Sequence, residues 1–216
     1  MKFRLPFAIL SLITLTSAFA AEDSQPVAST RDAATAEAGD ASQIAEQKKP
    51  LRFLLGAGLT FGGETLATMT YADGRTDSLT AGGLVMIYGG LDYRLDDAIS
   101  LQGTIGYHVD SVTAANGDAS FSRIPLELLA YYHSSDTIRF GGGVRFVNSP
   151  KIEGTGIAAN VNGSFDNTVG MIIEGEYLLD PTIGIKVRYV SETYHPTGIP
   201  VSVDGSHIGV LANFYF

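Results

Sequence analysis

From Leu51 onward, apolar and polar residues alternate at a spacing of two, most cleanly at the end of the chain. Counting back in twos gives Phe216, Phe214, Ala212, Val210 and Ile208 on one face. The other face holds Tyr215, Asn213, Leu211, Gly209 and His207. One wholly apolar face against one mixed face is the pattern of a β-strand between two different surroundings. With nothing after Phe216 to cover that apolar face, the stretch needs a neighbour on each side and an apolar medium outside. The pattern predicts the closing strand of a membrane β-barrel.

Seven further segments alternate in the same way. Strand one, 51–62, sets Phe53, Leu55, Ala57, Leu59 and Phe61 against Arg52, Gly56, Gly58 and Thr60. Strand two, 83–95, sets Val85, Ile87, Leu91 and Tyr93 against Met86, Tyr88, Asp92 and Arg94. Strand three, from Ile99 to Asp110, sets Leu101, Ile105, Tyr107 and Val109 against Gln102, Thr104, His108 and Asp110. Strand four, 121–133, sets Ile124, Leu126, Leu128 and Tyr132 against Arg123, Glu127 and Tyr131. In strand five, 137–148, Ile138, Phe140, Val144 and Phe146 oppose Arg139, Gly141, Gly143 and Arg145. In strand six, 167–179, Val169, Met171, Ile173 and Tyr177 oppose Thr168, Glu174 and Glu176. In strand seven, 182–193, Ile183, Ile185, Val187 and Tyr189 oppose Lys186, Arg188 and Glu192.

The connections alternate in length. Leu95-Asp96-Asp97, Ser134-Ser135-Asp136 and Asp180-Pro181 read as tight turns. Longer polar stretches at 63–82, 111–120, 149–166 and 194–205 read as loops. Short turns at one end and long loops at the other predict an all-β fold, an eight-stranded antiparallel up-and-down transmembrane β-barrel. The short turns and both barrel termini would then face the periplasm.

A soluble barrel with its apolar face inward is the competing architecture. Aromatic placement decides against it. On the apolar face, Phe53, Tyr93, Tyr132, Phe140, Tyr177 and Phe216 fall at the short-turn end, and Phe61, Tyr107, Phe146 and Tyr189 at the long-loop end. Aliphatic residues lie between them. Two aromatic girdles around an aliphatic band match the two interfaces of a bilayer, whereas a soluble core gives no reason to sort aromatics by height. Pro125 cannot donate a ladder hydrogen bond, so a bulge is expected in the outer half of strand four.

Eight strands, long loops on one side and a terminal Phe214-Tyr215-Phe216 make residues 51–216 resemble the small Gram-negative outer-membrane barrels of the OmpA, OmpX and opacity-protein kind. The resemblance implies that the last three residues serve as the signal read by the barrel-assembly machinery. It also implies a monomer whose partners are outer-membrane lipid and lipopolysaccharide.

The segment before the barrel changes character twice. Lys2 and Arg4, the apolar run 5–19 and Ala18-Phe19-Ala20 form a secretory signal, expected over 1–20. Residues 21–50 are rich in Ala, Glu, Asp, Ser, Gln and Thr and hold no aromatic, so they read as a disordered periplasmic leader. The chain has no cysteine, which excludes a disulfide framework and a lipid-anchored cysteine. Its formal charge of -9 argues against nucleic acid as a partner.

The predicted lumen therefore faces seven basic residues (Arg52, Arg94, Arg123, Arg139, Arg145, Lys186, Arg188) and five acidic ones (Asp92, Glu127, Glu174, Glu176, Glu192). An eight-stranded interior is just wide enough for side chains to fill, and buried charges demand partners. A salt-bridged plug is the leading expectation, and a small channel for ions or hydrophobic solutes is the alternative. In the loops, Asp73-Gly74 is a turn signal that predicts a projecting hairpin. The acidic loop residues Asp73, Asp77, Asp118, Glu153, Asp166 and Asp204 show no metal-ligand spacing. His133-Ser134-Ser135 superficially resembles the His-x-Ser pair of lipid A deacylases, but it falls at a periplasmic turn. His108, Asp110, His195 and His207 lie towards one end without a spacing that fixes a metal. No nucleophile, base and orienting group converge, so no enzyme, metal or cofactor is expected.

Overall fold

The computed structural model describes residues 50–70, 74–114 and 117–216. The signal (1–20), the leader as far as residue 49 and the Asp73 half of the Asp73-Gly74 turn lie outside the described residues.

Eight long strands follow in order: β1 (Leu51–Gly62), β2 (Leu84–Arg94), β3 (Ile99–Ala114), β4 (Gly117–His133), β5 (Ile138–Gly154), β6 (Thr168–Asp180), β7 (Ile183–Ser191) and β8 (His207–Tyr215). Each pairs antiparallel with the next. β8 then returns to β1 in a register running from Leu54↔Tyr215 to Gly62↔His207, so the sheet closes on itself and has no edge. The three tight turns share one device. A side-chain oxygen of Asp96, Ser135 or Asp180 accepts backbone N–H groups at the start of the following strand, as Asp96 Oδ1 does from Ala98 (2.7 Å) and Ile99 (2.8 Å). Such Asx- and Ser-turns stand in for ladder bonds where the chain reverses.

The alternation maps outside and inside as expected. Val187 is 59% exposed while its neighbours Lys186 and Arg188 are 1% and 2% exposed. The same holds around the ring, with Ile87, Ile105, Leu128, Ile173 and Ile208 outward and Asp92, Glu127, Arg139, Arg145 and Glu174 buried. An apolar exterior over a charged interior is the reverse of a soluble barrel, and that alternative falls. All ten girdle aromatics are outward and exposed.

Two expectations are corrected. Segment 111–120 is not a loop: β3 runs on to Ala114, β4 begins at Gly117, and their pairing continues to Ala114↔Gly117. A spanning strand needs about 9–11 residues, so β3, β4 and β5, with 16, 17 and 17 residues, rise past the apolar band. There the polarity of the pleat inverts. Val112, Ala119 and Phe121 point inward and are buried, while Ser111, Thr113 and Asp118 are exposed. Secondly, the register shift near Pro125 places the extra residue on the facing strand. Ser122 pairs with Lys151 and Ile124 with Asn148, so Ser149 and Pro150 together oppose Arg123. Ser149 adopts φ 50, the left-handed conformation such a bulge uses. On the other side of Pro125, the β3–β4 ladder passes from Ile105↔Leu126 to His108↔Arg123 without the pairs between.

The projecting strands and loops build a second, apolar core above the charged lumen. It gathers Met69 and Leu79 from a hairpin (Thr65–Thr70 with Thr76–Thr80), Val112, Ala119 and Phe121, Val147 and Ile152 from β5, Ala158 from a 3-10 turn (Gly156–Val161), and Tyr194. Phe121, Phe165 and Tyr194 meet edge to face with centroids 5.2–6.1 Å apart. The hairpin expected at 63–82 therefore exists, packed as part of a cap.

Candidate functional site in the barrel lumen

Inward side chains form layers along the barrel. At the short-turn end, Arg139 of β5 holds two carboxylates, Asp92 (2.8 Å) and Glu176 (2.7 Å), and donates to the Tyr215 hydroxyl (2.5 Å). Arg52 closes the layer on Asp92 at 2.6 Å, with its guanidinium 4.3 Å from the Tyr215 ring centroid. Asn213 donates to Glu176 (2.7 Å), and His133 meets Ser100 at 2.9 Å.

The middle layer is a chain of five charges. Glu127 accepts from Arg145 (2.6 Å) and Arg188 (2.8 Å), Arg188 also meets Glu174 (3.2 Å), and Glu174 pairs with Lys186 (2.7 Å). The Tyr131 hydroxyl donates to Glu174 and accepts from Lys186. The sequence makes room for this ring: a Cβ at Gly141 would lie 2.6 Å from it. Gly141 is thus a packing requirement of Tyr131, its β4 partner.

Towards the cap, Arg145 reaches Glu192 (2.9 Å), whose other oxygen accepts from Tyr194 (2.6 Å). Tyr194 thereby ties the apolar cap to the ion pairs, with its ring in one and its hydroxyl in the other. Asp110 Oδ2 accepts from the backbone and hydroxyl of Thr80, both at 2.8 Å, which fastens the hairpin to β3. At the rim the Glu64 backbone N–H donates to the Asp204 carbonyl (2.7 Å), and the Asp204 N–H donates to Glu64 Oε2 (3.3 Å). Asp204 is held below the usual carboxylate range because its carboxylate accepts from the Ser206 backbone and side chain.

Of the twelve predicted lumen charges, ten join these ion pairs. Two are corrected. Arg94 sits at the short-turn rim and donates to the carbonyls of Asp96 (3.1 Å) and Asp97 (2.7 Å), because a long side chain near a strand end reaches the turn more easily than the lumen centre. Arg123 is buried, but no carboxylate among the described residues lies within ion-pair distance of it. The sequence reading undervalued the neutral partners Tyr88, Gln102, Tyr131, Asn213 and Tyr215, although their inward parity was available. Tyr215, assigned to the assembly signal, points into the lumen, whereas Phe214 and Phe216 point outward.

His108 and His207 meet at the upper end with ring centroids 5.2 Å apart, while His195 is exposed in a loop. Among the described residues no group of three or more His, Cys, Asp or Glu is placed to hold a metal ion. Ser134 lies in an exposed turn beside buried His133, at the short-turn end.

No family model matches the chain, and no curated protein sequence matches it. Solved structures do. Ail, the attachment invasion locus protein of Yersinia pestis, in complex with sucrose octasulfate, superposes with a TM-score of 0.50 at 9% identity, over 77% of this chain and 97% of that one. Neisserial surface protein A gives 0.47 at 8%, over 77% and 97%. OprG of Pseudomonas aeruginosa gives 0.39 at 13%, over 76% and 95%. Identities this low speak to fold alone, and the Ail superposition carries that statement together with the closed ring described above. The chain is a closed eight-stranded antiparallel transmembrane β-barrel, built on the architecture of the small bacterial outer-membrane barrels.

Proposed function

We propose that this protein is an integral outer-membrane barrel with a structural or surface-interaction role, its lumen plugged by its own ion pairs. The observation that carries this reading is the filled interior. Arg139, Arg145, Lys186 and Arg188 each hold at least one carboxylate in a space just wide enough for side chains. An ion crossing the barrel would have to break several such pairs at once, and each broken pair leaves a buried charge uncompensated. The apolar cap supports the same conclusion from above.

In this reading the girdle aromatics sit at the lipid interfaces, and the short turns and both barrel termini face the periplasm. Lipopolysaccharide surrounds the outer half, and the final residues serve the assembly machinery during insertion. In this reading the barrel carries no catalytic activity. Ail binds a heparin analogue on a similar fold. Here the rim carries Glu64, Asp77, Asp118, Glu153, Asp166 and Asp204 against Arg75 and Lys151, the latter paired with Glu153 at 3.1 Å, so acidic groups outnumber basic ones and a sulfated polyanion would meet net repulsion. A surface partner for this chain would instead be neutral or cationic. Planar-bilayer recording tests the plug: the folded protein should add no conductance to the lipid baseline, and reproducible unitary steps would replace this reading with that of a small channel.

A further inference from the structure

The lipid-facing wall is not evenly covered. Outward positions on β2 carry Val85, Ile87 and Leu91, but between the last two stands Gly89, which has no side chain. The register sets Leu55, Gly89 and Ile105 in one row across the sheet, and Ala57, Ile87 and Tyr107 in the next. The missing side chain leaves a hollow of about 490 Å³, walled by Leu55, Ile87, Ile105, Tyr107 and Ile124 and floored by the backbone at Gly89. A second irregularity meets it. The β3–β4 ladder is interrupted between Ile105↔Leu126 and His108↔Arg123, beside Pro125, which has no N–H to give to a ladder. Tyr107 and Ile124, which the register sets opposite each other in that gap, form one wall of the hollow.

Height and shape select the occupant. Tyr107 belongs to the long-loop girdle and Gly89 lies near mid-strand, so the hollow occupies the long-loop half of the apolar band. Left empty, its walls would forgo dispersion contacts. Leu55 and Ile105 stand out on either side of Gly89 (57% and 60% exposed). They hold off any broad surface, such as a helix about 10–12 Å across or the wall of a second barrel. A chain one methylene wide passes between them, and the hollow is continuous with the lipid-facing belt. We propose that it seats one acyl chain of lipid A, holding a lipopolysaccharide molecule against β2 and β3 for longer than the lipid around it. The choice of lipid A over phospholipid rests on the reading given above, in which the long loops face outward and lipopolysaccharide surrounds that half. The seated chain also covers the interrupted β3–β4 seam.

The test folds the full chain into vesicles of phosphatidylethanolamine, phosphatidylglycerol and lipid A, with insertion read by heat-modifiable gel mobility. The barrel is then released in mild detergent and its retained lipid is weighed by native mass spectrometry. One lipid A per barrel should survive release. Gly89→Leu fills the hollow from within; its Cβ would meet the Leu55 Cδ2 methyl at 3.2 Å, the end of a flexible side chain that can give way. Retained lipid A should fall roughly tenfold in this variant, the effect of about two methylenes losing their cover. Gly175→Leu should retain it in full. That glycine faces lipid on β6, across the ring, and has no hollow because the Phe140 ring already lies 3.6 Å from where its Cβ would be. Retention of phospholipid in place of lipid A, retention of neither, or equal retention in Gly89→Leu and wild type overturns the seat. Should Gly89→Leu fail to insert, the wild-type choice between lipid A and phospholipid decides alone. A barrel that inserts and holds no lipid A defeats the seat only, whereas a chain that never inserts defeats the outer-membrane reading with it.

Discussion

Glu127 shows what a single side chain does in a lumen of this kind. Its two oxygens serve Arg145 and Arg188, so it is the joint between the middle layer and the branch that runs through Glu192 to the cap. Glu127→Gln keeps the shape and removes the charge from between two guanidinium groups. Breaking a buried pair from one side costs about 3–5 kcal/mol. Urea unfolding in detergent should show a loss of that order, accompanied by faster proteolysis of the loops. A loss below about 1 kcal/mol would mean that solvent screens the layer. At this scale the sequence told which residues face inward and what charge they bring, because parity alone decides that. It did not tell who pairs with whom. Arg94 and Arg123 have the same parity as Arg139, and only the height of each on the barrel separates a rim contact, an unpaired cation and a two-carboxylate knot.

Among the elements, the β3–β4 hairpin illustrates how one strand can serve two environments. Below Asp110 its inward positions are polar, and above it they are Val112, Ala119 and Phe121. The inversion is written in the sequence as Ser111-Val112-Thr113 and Asp118-Ala119-Ser120-Phe121. It reads as a loop when the strand is expected to end with its first pattern, since the apolar residues then fall on the wrong face. Phe121→Ala removes the ring that meets both Phe165 and Tyr194. A buried Phe→Ala change costs about 3–5 kcal/mol, and the loss should stay local. Limited proteolysis should cut the hairpin segment 63–83 faster, while the heat-modifiable gel mobility of the barrel remains. A barrel that loses its mobility shift in this variant would show that cap and barrel fold as one unit. Pro125 was legible as a disturbance, but its bulge sits at Ser149 and Pro150 opposite Arg123, because the facing strand can take up the extra residue as well.

For the whole molecule, the apolar exterior and the closed ring make solvent choice the dominant constraint. Ile105 is 60% exposed, outward between the aromatic belts. Ile105→Arg should cost about 2–4 kcal/mol in a bilayer. It should lower the folded fraction in lipid vesicles, read by gel mobility, more than it does in detergent micelles, whose boundary deforms around a charge. Equal folding in both media would count against a lipid-facing Ile105. The architecture was the most legible property of all, because a strand buried on one side and lipid-exposed on the other repeats every two residues. The cap was the least legible, because it is assembled from segments spread between Leu66 and Val203 whose contacts are long-range.

The inversion along β3 and β4 has a bearing beyond stability. Tolerance to substitution should change sign within a few residues of one strand. Charge is admitted inside and refused outside below Asp110, and refused inside and admitted outside above it. A mutational tolerance profile of residues 99–133 would therefore draw the waterline of the membrane on the protein, to within one turn of the pleat, without a lipid ever being observed.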